Sequence, residues 1–329
     1  MKAVFAAGSA NVGDELNEWI WPALLGDIEC EGASVLGIGT LLNKDFCRRL
    51  ADAKKILVMG TGAGYGPLPS VDERWSFHAV RGLRTAQALG LDADRAVADS
   101  AYLLATLDWP QLRQERGDVV VIPHHRSLNY VDWQTVCKQA GARFVSPLLP
   151  AAEFMQALAG ARLVLTEAMH GAILADIVRV PWRGFAFGGQ FNADKWLDWA
   201  EMFNLDPQIH TLAGFYDPAL HGKGRPTSYH LGKLFKSKLG RMGLGRSKWA
   251  RITVPSFRVE KAQNKLARQL KDIALLSGML SADAIMTLRV NQLYERLDQL
   301  RAELQAPPGT RLKGDPQAFL RDYAPKLEA

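Results

Sequence analysis

Histidine, arginine, glycine and carboxylate residues recur in this sequence at the points where short apolar runs end. The most informative stretch, residues 163–180, reads LVLTEAMHGAILADIVRV. An apolar run leads into Glu167, His170 and Gly171. A helix pattern follows, with Ile173, Leu174, Ile177 and Val178 on one face, and Pro181 stops it. A strand that turns directly into a helix leaves unpaired backbone N–H groups and the positive end of the helix dipole at the turn, which suits an anion. His170 adds a proton-transfer group or cation at that turn, and Glu167 adds a carboxylate.

Other constellations share this placement. Asn11-Val12-Gly13-Asp14-Glu15 follows the first apolar run and opens a helix. Asn11 and Asp14 suit helix capping, and Asp14 could equally bind a sugar hydroxyl or take its proton. Gly60-Thr61-Gly62-Ala63-Gly64-Tyr65-Gly66 alternates glycines, so Gly62 and Gly64 give a ligand close access to backbone. Pro67 and Pro69 stand where a dinucleotide-binding loop would start its helix, which argues against a nicotinamide site. Arg81 and Arg84 follow one strand candidate, and His124, His125 and Arg126 follow another. Arginine at a strand exit suits bidentate capture of carboxylate or phosphate. Lys195 sits at the start of a helix, where the dipole disfavours a cation, and pairing with substrate phosphate would explain it.

The elements that must hold these groups alternate. Strands are predicted at 2–7, 34–38, 55–59, 77–80, 96–98, 119–122, 143–145, 163–165 and 182–187. Helices are predicted at 15–25 (kinked or short at Pro22), 83–89, 131–140, 151–159, from about 169 to 180, and 193–203. Strands alternating with helices of about ten residues indicate an α/β fold with parallel sheets. The rhythm restarts after residues 111–117. This predicts two Rossmann-like domains facing across a cleft, residues 1–114 and 115–213. Residues 214–329 form a basic, helical C-terminal region whose last two helices break near Ser277-Gly278.

Composition narrows the class. Hydrophobic residues make up 48% and charged residues 22% of the 329, as in a globular protein with a full core. The net charge of +6 favours an anionic partner. Cys30, Cys47 and Cys137 have no metal or redox spacing, and fit a reducing cytoplasm. No apolar run reaches the ~18 residues of a spanning helix. From Lys223 to Lys271 the chain carries 14 Lys or Arg against one acid, Glu260, with Phe235, Leu239, Met242, Leu244 and Trp249 interleaved. That mixture suits an anionic membrane surface. No nucleic-acid-binding motif accompanies it, so nucleic acid is not expected as a partner.

Taken in order, Asn11 to Asn17 with Trp19-Ile20-Trp21-Pro22, Leu36 to Asn43, Gly64-Tyr65-Gly66, Val80-Arg81-Gly82, Pro123-His124-His125, Glu167 to Gly171 and Asn192 to Trp199 resemble the polysaccharide pyruvyl transferase family, in its exopolysaccharide branch. The resemblance covers roughly residues 1–206. It implies a fold like that of GT-B glycosyltransferases. It also implies transfer of pyruvate from phosphoenolpyruvate to sugar hydroxyls of an exopolysaccharide repeat unit, commonly as a cyclic ketal. In the family, an Arg matching Arg81 and a His matching His170 hold phosphoenolpyruvate. The resemblance implies residues 1–114 as the acceptor side and 115–213 as the phosphoenolpyruvate side. Some relatives carry Arg-Leu-His where this chain has Ala168-Met169-His170. Arg84, Arg126, His124 or Lys195 would then have to supply the missing charge.

The implied catalytic set is His170 with Glu167 or Asp14 as acid/base. The substrate-binding set is Arg81, Arg84, His124, His125, Arg126, Lys195, Asn11, Gly13, Gly62 and Gly64. Phosphoenolpyruvate is the donor substrate, with no metal and no cofactor. The acceptor is a lipid-linked oligosaccharide or polysaccharide. This places the protein in the cytoplasm, peripheral on the inner face of the cytoplasmic membrane through 223–271. Two other readings fit the same residues: a GT-B glycosyltransferase with a nucleotide-sugar donor, and a non-catalytic membrane-surface scaffold.

Overall fold

The computed structural model describes residues 2–3, 11–26, 28, 30–109, 117–187, 191–220, 228, 231–232, 235 and 252–322. The strand expected at 2–7 is therefore seen only as β1 (Lys2–Ala3). The junction at 111–116 and most of the basic segment lie outside the described residues.

Two parallel sheets form the body. The first has the order β1-β2-β3-β4, with β2 (Ala33–Leu36), β3 (Lys55–Met59) and β4 (Trp75–Ala79). The second has the order β6-β5-β7-β8-β9, from β5 (Asp118–Ile122), β6 (Arg143–Phe144), β7 (Ala161–Thr166), β8 (Trp182–Ala186) and β9 (His210–Thr211). A further parallel pair joins β10 (Phe215–Tyr216) to β11 (Ile252–Thr253). The strand expected at 96–98 reduces to one bridge, Val80 to Ala96.

Most helices fall where the apolar period puts them: α3 (Leu83–Leu89), α4 (Trp133–Ala140), α5 (Ala151–Ala159), α6 (Met169–Ile177) and α7 (Ala193–Ala200). The first helix, α1 (Val12–Leu25), differs from expectation by continuing past Pro22. Proline removes one backbone bond, but Trp19, Ile20, Trp21, Leu24 and Leu25 are all buried on either side of it and hold the helix. A four-residue helix, α2 (Lys44–Cys47), lies between β2 and β3.

The second sheet is buried on both faces, and the period of two along its strands divides the core. Val120, Ile122 and Val164 join one apolar cluster, which continues into the first sheet through Val35, Leu57 and Val58. Val119, Val121, Leu163 and Leu165 join another, closed by Trp133, Phe185 and Phe187. Among the described residues beyond 214, the strand pair β10–β11 is followed by three α-helices: α8 (Val259–Ala274), α9 (Asp283–Glu303) and α10 (Pro316–Asp322). These helices pack against the body. Leu266 and Leu270 of α8 complete the second cluster, and Leu293, Leu297 and Leu300 of α9 complete the first.

Among the described residues, no helix is long and apolar enough to cross a membrane.

Candidate active site

The turn between β7 and α6 is folded by Thr166. Its hydroxyl accepts from the Ala168 N–H (3.0 Å) and donates to the Ala168 carbonyl (2.8 Å). Ala168 is the cap residue of α6 and brings no side-chain bond to the helix start. Glu167 is buried, and its carboxylate bridges the neighbouring strand exits: Oε2 accepts from the His124 N–H (2.9 Å) and Oε1 from the Phe187 N–H (3.2 Å). A single side chain thus fixes the ends of β5, β7 and β8 relative to one another.

His170 lies over the start of α1. A side chain at Gly13 would overlap its imidazole ring, so glycine is what lets the ring rest there. On its far side, Nε2 stands 3.6 Å from Oδ2 of Asp99. Asp99 is wholly buried, and its other oxygen accepts from the Ala101 N–H (3.0 Å). The α1 end beside the ring is capped as expected: Asn11 Oδ1 accepts from the N–H groups of Gly13 (3.1 Å) and Asp14 (3.2 Å), and its amide donates to the Asp14 carboxylate. Asn17, one turn on, donates to the Asp14 and Ile38 carbonyls and accepts from Ile38 N–H and the Trp21 indole, fastening α1 to the exit of β2. Gly39, at that exit, adopts φ +114, a left-handed backbone that favours glycine, and Asp14 lies alongside it.

The glycine-rich loop after β3 meets the start of α7. Asn192 caps that helix through Asp194 and Lys195 N–H, and its amide donates to the Gly64 carbonyl. Lys195 donates to the Tyr65 hydroxyl at 3.0 Å and lies 5.3 Å from the Tyr65 ring centre. Desolvation raises the Tyr65 pKa. The charge and hydrogen bond of Lys195, with Arg81 and Arg126 farther off, outweigh it and leave the phenol below its ordinary value. His125 is pushed down, first by burial, then by Arg126 and Lys195. Its ring lies 4.1 Å from that of His124, whose Nδ1 accepts from the Arg126 N–H (3.3 Å). Lys195, Arg126 and His125 therefore share one electropositive locality, assembled from the exits of β3, β5 and β8.

Three expected ligands serve other purposes. Arg81 is 0% exposed. It donates to Asp198 (3.0 Å), Thr40 Oγ1 (2.9 Å) and the carbonyls of Ala63 (2.8 Å) and Gly39 (3.4 Å). Its guanidinium is spent on protein groups, so Arg81 braces the loops and does not reach out to an anion. Gly62 is there to make room for it, since a Cβ at that position would overlap the guanidinium. Arg84, 45% exposed, pairs with Glu201 at 2.6 Å.

The structure thus gathers Asn11, Gly13, Asp14 and His170 in one group, and Gly64, His124, His125, Arg126 and Lys195 in another. Glu167 lies between them, three residues from His170 and bonded to His124. Sequence reasoning missed Asp99, Tyr65 and Asp198. Asp99 follows the short apolar run 96–98, and a carboxylate at a strand exit was the signal that could have found it.

Residues 37–188 match the sequence model of the family described as polysaccharide pyruvyl transferase. Those residues belong to the polysaccharide pyruvyl transferase family. The succinoglycan biosynthesis protein ExoV of Rhizobium meliloti (strain 1021) is 35% identical over 199 residues, 59% of this chain and 62% of that protein. The chain thus spans less than two thirds of the relative it matches. The pyruvyl transferase segment contains Gly62, Arg81, His124, His125, Arg126, Glu167 and His170. Asn11, Gly13 and Asp14 lie before it and Lys195 after it.

Proposed function

We propose that this protein transfers pyruvate from phosphoenolpyruvate to two hydroxyls of a sugar in an exopolysaccharide repeat unit, forming a ketal and releasing phosphate. The observation that carries the reading is the convergence of Lys195, Arg126 and His125 at strand exits beside the polysaccharide pyruvyl transferase turn at Glu167–His170. Phosphoenolpyruvate bears close to three negative charges at neutral pH, and clustered cations with helix N-termini are what such a donor needs. Lys195 and Arg126 supply the charge that relatives place where this chain has Ala168.

The reaction needs one proton on the methylene carbon, which becomes a methyl group. One sugar oxygen bonds to the adjacent carbon and the phosphate leaves. The second sugar oxygen then closes the ketal. The hydroxyls give up two protons, one balancing the methyl group and one leaving on hydrogen phosphate. Nothing in this route calls for a metal or an organic cofactor. Glu167 has both oxygens on backbone N–H groups, which suits it to holding the turn. Asp14, beside Gly39 at the start of α1, is the carboxylate we assign to take a hydroxyl proton. The two parallel sheets are read as the Rossmann-like halves 1–114 and 115–213 of a GT-B-like fold, with the acceptor on the first and the donor on the second.

The acceptor is taken to be lipid-linked, at the inner face of the cytoplasmic membrane, with 223–271 against anionic lipid. Among the described residues of that segment, Leu231, Phe235 and Phe257 are exposed (60%, 67% and 81%), whereas Leu266 and Leu270 are buried against the body and Lys233, Lys236, Lys238 and Arg241 lie outside the described part. Calorimetric titration tests the donor assignment. The expected result is saturable binding of phosphoenolpyruvate, abolished in a Lys195→Met, Arg126→Met double variant. Binding of a nucleotide sugar, with none of phosphoenolpyruvate, would favour the glycosyltransferase instead.

A further inference from the structure

Asp99 poses a problem that neither the capping of its own turn nor the family resemblance solves. A carboxylate buried to 0% exposure is costly unless it is paired. One oxygen is used, accepting from Ala101 N–H. The other has no hydrogen-bond partner among the described residues, and neither does Nε2 of His170, 3.6 Å away. Two orphaned, complementary groups therefore face each other. The ring is confined, because Gly13 packs close to its Nδ1, Cε1 and Cγ atoms and α6 holds its backbone. Catalytic hydrogen bonds are often long before substrate binds and shorten in the complex.

We propose that Asp99 is the positioning residue of this site: it holds the His170 imidazole with a proton on Nε2, so that Nδ1, on the side of the Asn11–Asp14 turn, is the atom that accepts or returns a proton. This assignment rests on the pyruvyl transfer reading for its consequence in catalysis, but not for its structural content. It also explains why three separate parts of the chain meet here. The start of α1 brings Gly13, the turn before residues 100–106 brings Asp99, and the start of α6 brings His170. The turns that meet at the ring carry the carboxylates Asp99, Asp14 and Glu15 on α1, and Glu167, and Glu15 accepts from Ala151 N–H. Glu167 is engaged with two backbone N–H groups and Asp14 with Asn11, which leaves Asp99 as the group to set the imidazole proton.

Asp99→Asn is the informative substitution. Asparagine keeps the oxygen that accepts from Ala101, so the turn stays capped. It presents an amide donor to Nε2 in place of an acceptor, and this favours the other tautomer. Nitrogen NMR of the 15N-histidine-labelled full chain, with His170→Gln to assign the signal, reads the result directly. The expected outcome is an Nε2-protonated neutral form in the wild type and an Nδ1-protonated form in Asp99→Asn. An Nδ1-protonated wild type overturns the proposal without needing the variant to fold. So does an unchanged tautomer in the folded variant. Phosphate release then separates the two claims. If the tautomer changes as expected but wild type releases no phosphate from phosphoenolpyruvate, the reaction assignment fails and the Asp99 assignment stands. If wild type turns over and Asp99→Asn matches its kcat and KM, Asp99 has no positioning role.

Discussion

Without the Lys195 ammonium, the Tyr65 hydroxyl is left with desolvation and two more distant arginines to set its acidity. Lys195→Met should therefore move the Tyr65 ionisation upward, toward or above the ordinary phenol value. Ultraviolet titration of tyrosinate, with Tyr65→Phe as the blank, checks this. The same variant should raise KM for phosphoenolpyruvate by tenfold or more, because a charge-assisted contact is worth about 1.5–3 kcal/mol. Glu167→Gln behaves differently. Its amide turns a donor toward a backbone N–H that needs an acceptor, so stability should fall by about 1–3 kcal/mol in urea denaturation. If Glu167→Gln instead kept full stability while changing the pH profile of turnover, the carboxylate would be an acid/base group and not a brace. At this scale the sequence located chemistry better than it assigned tasks. His170 and Glu167 stand out because a strand-to-helix turn rarely needs them. Their partners, Asp99 and His124, lie dozens of residues away, where no local pattern points to them.

The same limit holds for elements. The length and period of α5 and α7 are legible because each buries one apolar face. What α7 does for α3 is not, since the joint is made by Asp198 and residues more than a hundred positions earlier. Asp198 accepts from Thr85 N–H (2.9 Å), Thr85 Oγ1 (2.7 Å) and Arg81 Nε (3.0 Å), and its own backbone carbonyl fills the space beside Gly82. Asp198→Ala would leave the Arg81 charge buried and alone, which costs about 3–5 kcal/mol. Gly82→Ala would force the helices apart, although Gly82 has an extended backbone any residue can adopt. The expected cost is about 1–3 kcal/mol. Because Arg81 and Asp198 form one unit, the double variant Arg81→Met, Asp198→Leu should lose less stability than Asp198→Ala alone, as a double-mutant comparison would show.

Across the whole molecule, α9 acts as a strap between the sheets. At its start, Ser281 donates to buried Asp176 through N–H (2.8 Å) and hydroxyl (2.7 Å), and Tyr102 donates to the same carboxylate (2.9 Å). At its end, Glu303 pairs with Lys55 (2.6 Å) and accepts from Ser76 (2.7 Å), on β3 and β4. The helix pattern of the C-terminal region was legible from its sequence. Its integration into the body was not, because basic composition describes the exposed face and conceals the buried one. Asp176→Ala leaves several donors unmatched and should destabilise the whole chain by about 2–5 kcal/mol in a single cooperative transition. Two separate transitions would show that the C-terminal helices fold apart from the body.

The central claim is that phosphoenolpyruvate gives its pyruvyl group to a glycan here. The most direct measurement incubates the full chain with phosphoenolpyruvate and lipid-linked oligosaccharide extracted from an exopolysaccharide producer, and follows free phosphate and glycan mass together. One phosphate is expected for each glycan that gains the mass of one pyruvic acid less one water, with both signals lost in His170→Gln. No phosphate release across a broad acceptor panel, or release without any gain in glycan mass, would contradict it.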